Sequence, residues 1–440
     1  MNEPVAAAPA SLAEQPYPAA TYSWYVVALM YLGYLVSFVD RQVIAFLVQP
    51  IREHLHITDF QFSLITGLAF SIFYAALGIP IGWLADHGNR KNIVAAGIGL
   101  WSLMTAACGL AHNYWQLFLA RLGVGFGEAT LSPCAVSMLA DSFPPERRAL
   151  PINVYVAGVH GGLAFANIFG GVIAAFTAGL GTLHWAIVGE VRPWQLSFLI
   201  VGLPGLLLAA LVYCLREPLR RDRRDGTRQG IGMTFAYLRR NWYPYSTLIL
   251  GTAISSLASY AMYGWVPALF QRRFGWSGSQ TGLTFGCTIL VFGTLGLVLS
   301  GWLVGRMMRS GVASPHAKVM TWAMALVVPL GAILVWRDDP YWTLSCLALL
   351  ILFMGMPIGL AQSALQAITP NEMRAQLIAV YLTTVSLIGP ALGPSAVAAL
   401  TDFHFHDDAA VGRSLSIVIT AAATVSVAVL ALSIRALRRL

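Results

Sequence analysis

Two apolar segments in the first third of the chain carry charged side chains, Asp40 and Arg41 in one, Arg121 and Glu128 in the other. A charge inside hydrocarbon costs several kcal/mol, so such residues usually face a polar cavity or a partner of opposite charge. Arg121 and Glu128 lie two turns apart on one helical face. At about 1.5 Å per residue, Asp40 lies about 14 Å and Arg121 about 10 Å below the same membrane surface, so the two segments can meet there.

The chemistry that these residue types favour is reversible protonation of a carboxylate. A low dielectric stabilises the neutral acid and a nearby arginine stabilises the anion, so a conformational change that separates the two moves a proton. Arginine keeps its proton and serves as a counter-ion or as a clamp for an anionic ligand. We expect Asp40 and Glu128 to couple to protons, with Arg41 and Arg121 as charge partners. The alternative is that the four charges, which sum to zero, only neutralise one another.

The elements that must position these residues are membrane-spanning helices. The chain of 440 residues is 57% hydrophobic and 10% charged, with a mean hydropathy of +0.68, which excludes an ordinary water-soluble domain. A helix needs about 20 apolar residues to cross the bilayer. We predict an all-α polytopic membrane protein with twelve transmembrane helices at residues 22–48, 60–85, 93–111, 114–140, 150–178, 194–215, 243–271, 279–307, 316–335, 341–365, 374–400 and 412–435.

The basic residues predict the orientation of the chain. Nineteen Lys and Arg residues fall in the connections after even-numbered spans and in the carboxyl-terminal tail, against six on the other side. Cytoplasmic loops carry the excess of Lys and Arg, so both termini are expected in the cytoplasm, and the expected location is a bacterial inner membrane. The topology thereby explains the formal charge of +8, and binding of nucleic acid is not needed to account for it. Residues 1–21 lack the features of a secretory signal and are expected to form a disordered cytoplasmic tail.

A repeat divides the spans into two halves. Gly82-Trp83-Leu84-Ala85 recurs as Gly301-Trp302-Leu303-Val304, and the pattern from Pro144 to Tyr155 recurs from Pro370 to Tyr381. We predict an amino-terminal six-helix bundle at 22–215, a basic cytoplasmic linker at 216–242 and a carboxyl-terminal six-helix bundle at 243–440. Two pseudo-symmetric bundles around a central site are typical of transporters that work by alternating access.

The glycines between Arg121 and Glu128 do not form a nucleotide-binding loop, because that motif needs a strand and a helix of a soluble domain. They are expected to allow close helix contact. The five cysteines show no metal-ligand spacing, and no nucleophile motif or catalytic domain is present. We therefore expect no metal, no cofactor, no catalytic residues and no enzyme activity.

The connection after the second span resembles the signature loop of the major facilitator superfamily. It reads Gly82-x-Leu84-Ala85-Asp86-His87-Gly88-Asn89-Arg90-Lys91. This resemblance implies the major facilitator fold and a cytoplasmic gate formed by Gly82, Asp86, Arg90 and Lys91. The family usually has arginine at the position of His87, which leaves this gate one fixed charge short, and the second half has Gly305 at the acidic position.

Further motifs resemble the Spinster branch of that superfamily: Phe38-Val39-Asp40-Arg41, Gly125-Phe126-Gly127-Glu128-Ala129, Ala140-Asp141-Ser142-Phe143-Pro144 and Arg216-Glu217-Pro218. The resemblance covers most of the first half and is thinner in the second. It implies proton-driven transport of lysolipids or sphingoid lipids, with Asp40 as the protonation site.

The expected substrate is amphipathic, lipid-like and anionic, because the first half carries the membrane charges and the second half is largely uncharged. The partners are this substrate, protons and membrane lipids. One alternative is a symporter of a small organic acid or sugar acid, and another is a membrane sensor without transport. Candidate substrate contacts, which equally suit helix packing or interface anchoring, are His160, Ser259, Tyr260, Tyr263, Gln362, Gln366 and Tyr381.

Overall fold

A computed structural model describes residues 17–185, 189–220, 231–370 and 373–437. Most of the predicted amino-terminal tail, part of the predicted linker (221–230) and two residues of the second repeat (371–372) lie outside this range. The side chains of Asp86 and His160 are also outside the description.

The first half contains six long helices, several of them interrupted by a tighter or wider turn. Their bounds are α1 Ala20–Gln42 with a 3₁₀ turn Val43–Phe46, α2 Asp59–Ser63 with a π-turn Leu64–Leu68 and Ala69–His87, α3 Arg90–Cys108, α4 Tyr114–Glu128 and Leu131–Ser142, α5 Ala149–Leu180, and α6 Pro193–Tyr213. A short helix, Val48–Leu55, joins α1 to α2. A small hairpin of β1 (Leu183–Trp185) and β2 (Gly189–Val191) precedes α6, and the hydropathy pattern did not predict it.

The second half repeats this plan. Its helices are α7 Trp242–Phe274, α8 Gly278–Thr288 with a π-turn Ile289–Gly293 and Thr294–Arg309, α9 Pro315–Ala332, α10 Pro340–Met354 and Met356–Ile368, α11 Arg374–Ala399 with a π-turn Leu400–Phe405, and α12 Val411–Leu437. Ten of the long helices are long and apolar enough to cross a membrane, and α7 and α9 complete the set of twelve. The predicted twelve-helix fold is confirmed. A short helix at Ile231–Arg240 lies in the predicted linker, where no element was expected.

Local sequence explains where several of these helices begin. Asn89, Asn113 and Ser277 each stand before the first helical residue and accept a hydrogen bond from the backbone N–H three residues later. Such side-chain caps satisfy N–H groups that have no partner within the helix. The spans are helical because no water is available within the bilayer to satisfy backbone groups that find no partner in the protein.

Close packing around α4 depends on its glycines. A Cβ atom at Gly125 would lie 2.5 Å from the carbonyl oxygen of Phe70 in α2, and one at Gly127 would lie 2.7 Å from the backbone of Gly97 and Trp101 in α3. Only a residue without a side chain allows α2 and α3 to approach α4 so closely. These contacts fix α4, and thus Arg121 and Glu128, against the rest of the first half.

The two halves meet through helix pairs that the repeat relates to each other. Helix α2 contacts α11, and α5 contacts α8. Because each helix of the first half corresponds to the helix six numbers later in the second half, the repeat converts one of these pairs into the other. A Cβ at Gly67 in α2 would lie 2.2 Å from the carbonyl oxygen of Pro390 in α11, and one at Gly171 in α5 would lie 2.3 Å from that of Gly278 in α8. These contacts lie toward the membrane face that carries the short helix Val48–Leu55. This face is here called the opposite end, because it lies across the membrane from Ala20 and Leu437.

The other membrane face, which carries Ala20 and Leu437, is here called the terminal end. Gly82 in α2 and Gly301 in α8 lie toward this end, and a Cβ at either would have no heavy atom of the described residues within 4 Å, apart from its own stretch of helix. The interface pairs are therefore tightly packed at the opposite end, whereas α2 and α8 have free space beside Gly82 and Gly301 at the terminal end.

Gly282→Ala is expected to destabilise this conformation. The added Cβ would lie 2.4 Å from the carbonyl oxygen of Asn167 and 3.0 Å from the Cα atom of Gly171, so α5 and α8 would have to separate. Overpacking of this kind costs about 1–3 kcal/mol. Thermal unfolding of the purified protein measures the effect. Gly301→Ala, the same substitution in the same helix at an open position, is the matched control, and equal unfolding midpoints for the two variants would contradict the expectation.

Candidate functional site

Arg41 and Glu128 form an ion pair between α1 and α4. The Nε and Nη2 atoms of Arg41 both contact Oε2 of Glu128. The guanidinium also lies over three aromatic rings, with its carbon 5.3 Å from the ring centre of Phe38, 4.5 Å from that of Phe70 and 5.2 Å from that of Tyr74. The Glu128 side chain is fully buried and the Arg41 side chain is 21% exposed. The pair therefore presents its cationic member to the space between the halves.

Asp40 lies in a different environment from its neighbour in sequence. It is completely buried, and Arg121 donates from Nη1 to its backbone carbonyl oxygen at 3.1 Å. Neither carboxylate oxygen of Asp40 has a hydrogen-bond partner among the described residues. Adjacent residues point about 100° apart on a helix, so Asp40 faces the interior of the first half while Arg41 faces outward from it. The four charges thus lie together, and their pairing is Arg41 with Glu128, and Arg121 with the backbone of Asp40.

The signature loop is bound within the first half in this conformation. Arg90 is 1% exposed and donates from Nη1 to Asp141 at 2.5 Å, from Nε to Glu217 at 2.7 Å and from Nη2 to the carbonyl oxygen of Pro218 at 2.8 Å. The backbone N–H of Lys91 donates to the same Glu217 carboxylate at 2.9 Å. Arg90 therefore ties the start of α3 to the end of α4 and to the chain beyond α6.

Arg90 and Lys91, two of the predicted gate residues, therefore bind within the first half and do not bridge the two halves in this conformation. The amine of Lys91 donates to the carbonyl oxygen of Tyr213, which is also in the first half. Gly82 lies beside open space, and the Asp86 side chain is outside the description.

The candidate substrate contacts separate into two groups. Tyr260 is 37% exposed, Tyr263 is half-buried with its ring 6.5 Å from that of Tyr260, Gln362 is half-buried and Gln366 is exposed. Ser259 and Tyr381, in contrast, are buried, and no ligand reaches them in this conformation.

The reason for this burial is helix packing. The Ser259 hydroxyl donates to the carbonyl oxygen of Ser255 one turn earlier, at 3.4 Å. The Tyr381 hydroxyl donates to the carbonyl oxygen of Ile358 at 3.1 Å, which joins α11 to α10. The prediction for His160 concerns a side chain outside the described set.

A second group of charges, which was not predicted from the sequence, joins the halves at the opposite end. Arg272 of α7 makes a bidentate ion pair with Asp59 of α2, at 2.6 and 2.8 Å. Arg52 lies 3.1 Å from Asp59 and 2.6 Å from Asp408. The carboxylate of Asp402 accepts from the backbone N–H of Phe60 at 2.6 Å. Arg52, Asp59, Arg272, Asp402 and Asp408 are here called the opposite-end cluster.

The position of these residues explains why their pairing across the halves was not predicted from the sequence. Arg52 and Arg272 are two of the six basic residues outside the cytoplasmic connections, where a charge indicates only topology, and Asp59 occupies the first turn of α2, where an acid commonly supports a helix start. The one available signal was an acidic and a basic residue at the same predicted membrane face, one in each half.

The comparison with protein families decides the identity of this fold. The model of the Major Facilitator Superfamily matches residues 30–394. The chain belongs to this superfamily. Its family and fold are those of transporters and not of enzymes, and the chain is an integral membrane protein.

Individual proteins of the superfamily are similar along most of the chain. An MFS-type efflux pump of Mycolicibacterium smegmatis is 28% identical over 419 residues, which cover 91% of this chain and 90% of the pump. A probable L-galactonate transporter of Escherichia coli is 24% identical over 299 residues, covering 65% of this chain and 62% of the relative.

A crystal structure of a bacterial homologue of the human lysosomal transporter Spinster, in an inward-facing and unoccupied conformation, superposes with a TM-score of 0.84. It is 25% identical, over 96% of this chain and 99% of the other. The predicted resemblance to the Spinster branch is confirmed, so this chain is a Spinster-like transporter of the Major Facilitator Superfamily.

Proposed function

We propose that the protein is a proton-coupled secondary transporter of an amphipathic, anionic, lipid-like substrate, working by alternating access. The observation that carries the proposal is the group of four charges on α1 and α4. It contains a carboxylate, Asp40, that is completely buried and has no hydrogen-bond partner among the described residues. An unpaired carboxylate in a low dielectric binds a proton readily, and a buried ionisable group in a membrane protein commonly marks an ion pathway.

The proposed mechanism couples this protonation to movement of the halves. Protonation of Asp40 removes a negative charge beside Arg121 and changes the balance of attractions between α1 and α4. The halves are packed together at the opposite end and have room at the terminal end, so this conformation is one of the two that alternating access requires. We assign the terminal end to the cytoplasm of a bacterial cell, on the distribution of Lys and Arg, which makes this the inward-open state.

The proposed substrate class follows from the surroundings of Arg41. Its guanidinium is the partly exposed charge of the group and binds anionic head groups well. Phe38, Phe70 and Tyr74 surround it, and the exposed part of Tyr260 and Tyr263 lies on the facing helix α7 of the second half. A substrate with an anionic head at Arg41 and an apolar body against these rings fits this arrangement. A relative described as a sphingosine-1-phosphate transporter of Mus musculus, 27% identical over 291 residues, supports the same class.

Asp40→Asn is expected to abolish uptake driven by a proton gradient. The amide has nearly the shape of the acid but takes no proton, so the pH difference can no longer drive the cycle. Proteoliposomes with an imposed pH gradient and labelled lysophosphatidylglycerol measure uptake, which we expect to fall at least about tenfold, the effect of 1.4 kcal/mol. Exchange of the label at equal pH on both sides is expected to continue.

Asp338→Asn is the matched control for this experiment, because it makes the same substitution at a side chain that is 79% exposed at the opposite end. If Asp40→Asn accumulates the label as the wild type does, Asp40 is not the coupling site and the proposed mechanism is wrong.

The second candidate function is symport of a small organic acid or sugar acid. The relative described as a probable L-galactonate transporter favours it, and Arg41 suits a small carboxylate as well as a lipid head group. Gradient-driven uptake of labelled L-galactonate in the same proteoliposomes, with no uptake of the lysolipid, would select this candidate. Binding of either compound without flux in any direction would instead indicate a sensor.

A further inference from the structure

A proline within α7 removes the helical partner of one backbone carbonyl. Pro267 lies inside this helix, which continues on both sides of it. Proline has no N–H and cannot donate to the carbonyl oxygen four residues earlier, which here belongs to Tyr263. A backbone carbonyl that is buried without a partner costs free energy, and the bilayer offers no water to satisfy it. The carbonyl oxygen of Tyr263 therefore needs another donor.

That donor comes from the first half. Gln42 is the last residue of α1, and its Nε2 donates to the carbonyl oxygen of Tyr263 at 2.8 Å. The same nitrogen lies 3.5 Å from Oδ1 of Asn167 in α5. Gln42 is 9% exposed and Asn167 is completely buried. Gln42 thus replaces, across the boundary between the halves, the hydrogen bond that Pro267 removes from α7.

Three consecutive residues of α1 therefore face three different parts of the protein. Asp40 is buried in the first half, Arg41 is exposed to the space between the halves, and Gln42 binds the second half. Successive residues of a helix point about 100° apart, which allows this arrangement. The helix that Gln42 binds is the one that carries Tyr260 and Tyr263. Its hydrogen bond therefore fixes the position of these two rings relative to Arg41.

Further contacts between α7 and the first half lie closer to the opposite end. Nε2 of Gln271 lies 3.5 Å from the carbonyl oxygen of Phe46, in the 3₁₀ turn that follows α1. The next residue of α7 is Arg272, which binds Asp59. Both α1 and α7 run toward the opposite end, so the hydrogen bond of Gln42 lies deeper in the membrane than these contacts. When the halves part at the opposite end, this hydrogen bond has to break as well.

We propose that Gln42 is a positioning residue for transport, which holds α7 against α1 by donating to the carbonyl that Pro267 leaves free, and which releases it when the opposite end opens. The carbonyl has a partner in both states, Gln42 in this one and water in the other, so the exchange is reversible. The inference rests on the alternating access of the proposed function. It is independent of the proposed substrate and of protonation at Asp40.

Gln42→Leu tests the proposal, because it nearly keeps the size of the side chain and removes the donor. Spin labels on exposed residues of the two halves at the opposite end, in the full-length protein in proteoliposomes, report the two states by their distance. We expect the ratio of the longer-distance to the shorter-distance population to rise about tenfold, the effect of 1.4 kcal/mol for one buried acceptor left without a partner. Gln280→Leu, the same substitution at an exposed position of α8 at the same end, is the matched control.

A second substitution determines whether the freed carbonyl is what Gln42 acts on. Pro267→Ala restores an N–H to α7, so the carbonyl of Tyr263 gains a partner in its own helix. In this background Gln42→Leu is expected to change the ratio of the two states by no more than about twofold, and the double-mutant cycle measures the difference. Pro329→Ala removes a proline inside α9 instead, and in that background the tenfold effect is expected to persist.

Two results overturn the inference: wild-type distances in Gln42→Leu, or an effect of equal size with and without Pro267→Ala. If either is found while the wild type populates both distances and accumulates the lysolipid, the inference fails and the proposed function stands. A wild type with a single distance, with or without lysolipid, would contradict alternating access itself, and the inference would fail with it.

Discussion

Asp59→Asn is expected to open the end of the transporter that is closed in this structure. The Asp59 side chain is fully buried and holds Arg272 of the other half with two hydrogen bonds, together with Arg52. Removing one partner of a buried ion pair costs about 3–5 kcal/mol, because the remaining charge has no compensation. Both arginines retain some contact with water, so we expect a smaller change, of at least about 1.4 kcal/mol, which is tenfold in the ratio of the two states.

Distances between spin labels on the two halves at the opposite end measure this shift. We expect the population with the longer distance to increase at least about tenfold in Asp59→Asn. Asp338→Asn is the matched control, since it breaks an exposed ion pair to Arg273 at the same membrane face, where such pairs contribute little. Identical distance distributions in the two variants would show that the opposite-end cluster does not hold the halves together.

Glu128→Gln is expected to impair both stability and transport. The substitution leaves the guanidinium of Arg41 among aromatic rings without a counter-charge, which costs about 3–5 kcal/mol for a buried pair. Thermal unfolding of the purified variant and lysolipid uptake in proteoliposomes measure the two effects. Glu53→Gln, at an exposed side chain that accepts from Gln49, is the control with the same substitution.

The double variant Arg41→Gln, Glu128→Gln distinguishes charge imbalance from lost packing. With both charges removed, most of the stability is expected to return, while uptake remains low because the clamp for the anionic head is gone. A double variant that is less stable than Glu128→Gln alone would refute this account of the pair.

The fold could be predicted well because the bilayer restricts what a chain can do. Each span must be a helix of about 20 apolar residues, so hydropathy alone locates most of them, and the recurrence of Gly82 at Gly301 shows the two halves. The hairpin before α6 and the helix Ile231–Arg240 were missed because short surface elements leave no comparable pattern.

The grouping of the four membrane charges could be predicted, but their pairing could not. The rarity of charge in lipid identifies Asp40, Arg41, Arg121 and Glu128, whereas the rotation of α1 and α4, set by packing at glycines, decides which side chains meet. The same limit explains the burial of Tyr381, whose hydroxyl turns toward α10.

The opposite-end cluster was beyond sequence reasoning for another reason. Asp59 and Arg272 are 213 residues apart and belong to different halves. Charges at the ends of spans are common, and nothing in the sequence tells a pair that joins two bundles from charges that face water. Only the relative placement of the halves brings them together.

The balance of charge in the first half has an electrical consequence. Asp40, Arg41, Arg121 and Glu128 carry two positive and two negative charges and are enclosed in the same bundle. When one proton binds at Asp40 and one monovalent anion binds at Arg41, the total charge of the group stays at zero. A cycle that carries both together is electroneutral, so it draws on the pH difference across the membrane and is indifferent to the voltage.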